Sequence, residues 1–130
     1  QFLASRRMPK SPGGLGDVPF VALSTIAHPY SVSLRGAGGR QLRIRCKRAF
    51  VANTANACRA ATLAGAGVGL LTDFSIADDV AAGRLVRLFP GWASEPAAIQ
   101  AVYPSARQGS VKAAAVVEAL KAYLDARVGQ

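Results

Sequence analysis

The sequence is poor in the residues that usually carry chemistry. It has a single histidine, His28, and two cysteines, Cys46 and Cys58. The cysteines share no metal-ligand spacing with each other or with His28, so no metal site is expected, and two reduced thiols are a better reading than a disulfide. Acidic residues are scarce too, seven against sixteen basic, for a formal charge of +9. Two of the seven, Asp78 and Asp79, are adjacent; on a helix they point about 100° apart, cannot share a substrate, and are expected as exposed surface charges. Ser24, Ser31 and Ser33 lack the glycine-flanked elbow of a hydrolase nucleophile. His28, alone in a proline-bearing loop, is expected to be solvated. Long apolar runs are missing as well. The stretch 60–71 is interrupted by Thr62, Gly65, Gly67 and Gly69, far short of the about 18 apolar residues a membrane span needs. The basic start, Arg6, Arg7 and Lys10, runs into Pro9, Pro12 and Gly13 rather than an apolar core, which is not the pattern of a signal peptide. No catalytic group, cofactor or membrane contact is expected from these residues.

What is present is a folding pattern. Hydrophobic residues make up 51% of the 130, enough for one domain with an ordinary core. Gln1 opens the chain and Met8 is its one methionine, as expected of a piece of a longer protein. Ser11 and Pro12 read as the start of a helical turn. The apolar run 20–24 reads as a buried strand, followed by a loop to Tyr30. Residues 31–35 and 40–51 bracket Gly36-Ala37-Gly38-Gly39, a hairpin connection. In the second arm Leu42, Ile44 and Cys46 alternate with Arg43, Arg45 and Lys47. A period of two sends the first set to the core and the basic set to water.

Beyond the hairpin, Asn53 or Thr54 can cap a helix that Gly65 and Gly67 end. Residues 68–71 read as a short buried strand, and Asp73 caps a helix to Ala82 with Gly83 at its end. Strands are predicted over 85–89 and 99–103. The stripe Ala113, Val116, Val117, Leu120, Tyr123 and Leu124 predicts a final helix over 110–127. Gly65-x-Gly67-x-Gly69 superficially evokes a dinucleotide-binding loop, but it follows a helix where that motif follows a strand.

In order along the chain, Val51-Ala52-Asn53, Leu63-Ala64-Gly65-Ala66-Gly67-Val68-Gly69-Leu70-Leu71, Asp73-Phe74, Ala77-Asp78-Asp79-Val80-Ala81-Ala82-Gly83-Arg84-Leu85-Val86-Arg87-Leu88 and Ala101-Val102-Tyr103-Pro104-Ser105 resemble the effector-binding domain of LysR-type transcriptional regulators. The resemblance covers essentially the whole chain. Two features depart from the family pattern: Thr72 stands where proline is usual, and the hairpin strand is unusually basic. The likeness implies an α/β, type 2 periplasmic-binding-protein-like fold. Residues 8–97 would form the second lobe, a mixed sheet flanked by helices. Residues 98–130 would supply the returning strand and C-terminal helix of a truncated first lobe. The family's N-terminal helix-turn-helix domain is not in this chain, so DNA would be met only through that absent part.

The implied function is non-catalytic sensing of a small-molecule effector, a carboxylate or aromatic acid, by a cytoplasmic, self-associating bacterial regulator. Carried over position by position, the effector would meet Asn53 and Thr54 at a helix start, Thr72, Ser24 and Thr25 at strand ends, and Val102 and Tyr103 at the crossover. Free N–H groups at a helix start suit an anion. The alternative is a basic nucleic-acid-binding domain acting through positions 40–48, with Arg40, Arg43, Arg45 and Lys47 on phosphates. That stretch lacks aromatic interleaving for stacking bases.

Overall fold

The computed structural model describes residues 8–96, 98–102 and 110–126. A 3-10 turn at Pro12–Asp17, opened by Ser11 and Pro12 as predicted, leads into the first strand. This strand, β1 (Pro19–Leu23), is buried at its three central positions. A continuous apolar run suits it because both of its faces are covered. Two strands run parallel to it, β4 (Lys47–Ala52) on one side and β5 (Val68–Gly69) on the other. Between them in sequence lies helix α1 (Ala55–Leu63), which packs on β1 and β4. Its Cys58 is buried, with the thiol donating to the Ala22 carbonyl at 3.5 Å.

The second sheet is antiparallel, in the order β3 (Gln41–Arg45), β2 (Ser31–Gly36), β6 (Trp92–Ala93). The hairpin turns through Ala37–Gly39 and is closed by the Gly36 N–H donating to the Arg40 carbonyl at 2.9 Å. Val32, Leu34 and Ile44 face the core, while Ser33, Arg35, Arg43 and Arg45 are exposed, as the alternation requires.

The single strand expected over 40–51 is in fact two. At Cys46 the chain leaves β2 and joins β1; the Cys46 N–H donates to the Tyr30 carbonyl at 2.7 Å. The expected mixed sheet is therefore a parallel and an antiparallel sheet joined by one bent arm. One core serves both, formed by Leu15, Val18, Phe20, Ala22, Val32, Leu34, Ile44 and Cys46. Burial pushes the Cys46 thiol above its usual pKa, and both thiols are free.

The second helix, α2, spans Asp73–Ala81, and both helices end alike. Gly65 and Gly83 take left-handed φ values of 83° and 69°. Around each, N–H groups fold back onto the last turn: Ala66 to Ala61 at 2.9 Å, and Arg84 to Asp79 at 2.8 Å. This arrangement satisfies carbonyls the helix leaves open, at a backbone angle glycine adopts without strain. The start of α2 is one residue earlier than expected: Thr72 occupies the position just before the helix and Asp73 is the first helical residue.

Two predicted strands do not form. Phe89, at φ 53°, turns the chain, and its carbonyl accepts from the Trp92 N–H at 2.8 Å, so 85–89 gives way to the short β6. Residues 99–102 are exposed and irregular, and no described strand pairs with them. A strand needs a neighbour for its N–H and C=O groups. Helix α3 (Val111–Asp125) forms where the stripe predicted it, yet none of its residues is buried.

Candidate functional site

Three parallel strands deliver their carboxyl ends to one edge. The Ser24 N–H donates to the Ala52 carbonyl at 2.8 Å, so the ends of β1 and β4 are tied together. That brings Ser24, followed by Thr25 in the turn after β1, to the same edge as Asn53 and Thr54 after β4. The β1–β5 register, Phe20 with Val68 and Val21 with Gly69, carries the chain on toward Thr72 along the same direction. All five residues are exposed. Val102 lies in the irregular stretch 98–102 at 88% exposure, and no strand ladder ties it to this edge. Tyr103 lies outside the described residues.

The two helix starts at this edge differ. Thr54 caps α1, its hydroxyl oxygen accepting from the Ala57 N–H at 3.2 Å, and its carbonyl accepts from the Cys58 N–H at 3.2 Å. The N–H groups of Ala55 and Asn56 precede any carbonyl they could reach within the helix, so they point outward. No acidic residue occupies the first turn of α1. Its positive end is thus open to an anion. At α2, Asp73 already stands in the first turn. The Thr72 hydroxyl makes no cap and instead donates to Ser75 Oγ at 2.9 Å.

The expectation that Asp79 is an exposed surface charge is wrong. Its side chain is 1% exposed and held between two arginines. Arg59 of α1 donates to Oδ2 at 2.6 Å, and Arg84, just past the end of α2, donates to Oδ1 at 2.9 Å. Burial works to raise the Asp79 carboxyl, but the hydrogen bonds from Arg84 and Arg59, together with their charges, hold it below the usual carboxylate range. This network couples α1 to α2 and so bears on how their starts are placed. Sequence reasoning missed it because Arg59 is twenty positions from Asp79. Only Asp79 and Arg84, flanking the Gly83 turn, are a local signal.

The basic residues do not form one strip. Arg43 and Arg45 share the solvent face of β3, opposite Ser33 and Ser31 on β2. Arg40 is instead at the hairpin turn, its guanidinium 5.8 Å from the centre of the Trp92 ring. Lys47 opens β4 beyond the bend. Next to it, Arg48 stacks on Tyr30 at 4.7 Å. Among the described residues no group of histidine, cysteine and carboxylate side chains could hold a metal. No helix of the described residues is long and apolar enough to cross a membrane.

A family model described as the LysR substrate binding domain matches residues 1–125. The chain is similar to the HTH-type transcriptional regulator PtxR of Pseudomonas aeruginosa, 41% identical over 81 residues that make up 62% of this chain and 26% of that protein. It is also similar to the HTH-type transcriptional regulator DmlR of Escherichia coli, 28% identical over 124 residues, 95% of this chain and 40% of that protein. Among solved structures it is similar to the regulatory domain of AphB from Vibrio vulnificus, with a TM-score of 0.65 and 26% identity over 72% of this chain and 46% of that one. The chain thus spans well under half the length of the curated relatives it matches.

Proposed function

This chain belongs to the family of LysR substrate-binding domains, and we propose that its effector is a small organic anion, a carboxylate or aromatic acid, held at the carboxyl edge of the parallel sheet. The observation that supports this reading is the start of α1, where outward N–H groups meet the Thr54 cap with no acidic side chain in the turn. The anionic group sits on those N–H groups. Ser24, Thr25 and Asn53 supply polar groups at the same edge, and Thr72 closes it beyond β5. Effector binding then favours one arrangement of the regulator over another, which requires unequal affinity for the two.

The two curated relatives are helix-turn-helix regulators by name. In the whole protein we place the DNA contact in such a domain and the response to effector in this one, with no catalytic step, in a cytoplasmic, oligomeric regulator. The comparisons lend no support to a nucleic-acid-binding role for Arg43 and Arg45.

The test is a thermal-shift screen of small carboxylates and aromatic acids against wild type and Thr54→Ala. A hit should raise the wild-type Tm in a concentration-dependent way, because a ligand bound only by the folded state stabilises it. The same ligand should give a smaller rise in the variant. Equal shifts in both would remove the α1 start from the site.

A further inference from the structure

A basic depression lies at the other end of the β3–β4 arm. Thr54 follows β4, whereas Arg40 immediately precedes β3. There an open depression is lined by Lys10, Pro12, Arg40, Arg87, Phe89 and Trp92, among others. None of the residues placed at the strand-end edge lines it. Three cations thus face one concavity, and none of its lining side chains is acidic. Among the described residues, the ion pairs of Glu95 and Asp79 engage Arg35, Arg59 and Arg84 rather than Lys10 or Arg87.

The remaining wall is apolar and firmly seated. Leu88, Phe89 and Trp92 pack against the main core. The Trp92 ring lies against Gly36, where a Cβ would stand only 2.9 Å from it, and Arg40 stacks on the same ring. Phe89 holds its place at a φ of 53°, a conformation that bulky side chains rarely adopt. Like charges gathered around a concavity focus a field into it, and that field is relieved when an anion enters. An apolar wall with a few convergent charged groups is the usual make-up of a small-molecule site.

We propose that this depression binds a small organic anion, its charged group between Lys10 and Arg87 and its apolar body against Phe89 and Trp92. The site is separate from the start of α1 and stands whether or not the effector binds there. Trp92 is the one tryptophan of the chain, so its emission reports on this depression alone. Titrating the 130-residue chain with benzoate should change that emission saturably, whereas neutral benzamide should not.

Lys10→Gln and Arg87→Gln should each weaken the apparent benzoate affinity by about tenfold, as expected for loss of one charge-assisted hydrogen bond. Both residues are exposed, and circular dichroism checks that the fold is kept. Thr54→Ala should leave the titration unchanged, which separates this site from the strand-end edge. A non-saturating response, an unchanged wild-type affinity in both charge variants, or inorganic phosphate binding as tightly as benzoate would each overturn the proposal. The last outcome would mean that the apolar wall contributes nothing.

Discussion

Single residues in this chain act through what they are paired with. Asp79 is the clearest case, since its carboxylate is buried and its charge is tolerated only because Arg59 and Arg84 face it. Its folded-state pKa lies below the ordinary 3.8, so the stabilisation from these pairs is complete above that value and disappears as pH falls through the lowered one. Asp79→Asn should therefore lower Tm at neutral pH and flatten the loss of stability on acidification. Thermal melts from pH 7 down to pH 2 would show whether the two curves converge at the acid end. Thr54→Ala removes a helix cap and should cost about 1 kcal/mol in chemical denaturation, apart from any effect on ligand. Gly83→Ala, at a φ of 69°, should cost about 1 kcal/mol through strain alone, because its Cβ would meet open space. The residues of the Gly65-x-Gly67-x-Gly69 run show how one motif can serve unrelated needs. Gly65 turns the helix end, a Cβ on Gly67 would come within 2.4 Å of the Pro19 carbonyl oxygen, and one on Gly69 would press on the Thr62 hydroxyl.

At the scale of elements, local pattern and partner each decide different things. The hairpin was legible because alternation and a glycine-rich turn agree, and the Leu42, Ile44 and Cys46 side of it is turned inward. The helices α1 and α2 were legible from their glycine stops. The bend at Cys46 was not, because nothing in its own sequence marks the place where the strand changes from an antiparallel to a parallel neighbour. Residues 85–89 have strand composition but turn at Phe89 so that Trp92 can reach β2. The strand β1 is the element on which both neighbours depend. Phe20 is 3% exposed within it, and Phe20→Ala should cost about 3–5 kcal/mol, read from denaturant midpoints at constant slope. A much smaller loss would mean that the core collapses around the gap.

For the whole molecule, the contrast lies between a tightly built body and an uncovered helix. The two sheets and α1 enclose one core, while α3 leaves Val116 and Leu120 at 59% and 56% exposure. A stripe of that kind favours association with another apolar surface. Leu120→Glu should shift sedimentation-velocity profiles toward the monomer if the stripe drives self-association, and should leave the melting of the two-sheet body nearly unchanged. The formal charge of +9 adds repulsion between copies, so association through this stripe should strengthen as salt rises.

The sequence by itself determined the α/β character, the amphipathic hairpin, the helix stops and the family resemblance. These follow from short-range causes: side-chain period, capping chemistry and the backbone angles open to glycine. That Ser24, Asn53, Thr54 and Thr72 stand at strand ends and helix starts was also legible. Only the tertiary structure decided that Asp79 is buried, that Arg40 parts from Arg43 and Arg45, and that Lys10, Arg40 and Arg87 face one depression. Those outcomes depend on which distant segments meet. Burial and electrostatic partnership are properties of that meeting, and apart from the Asp79–Arg84 spacing around Gly83 no local pattern in the chain marks them.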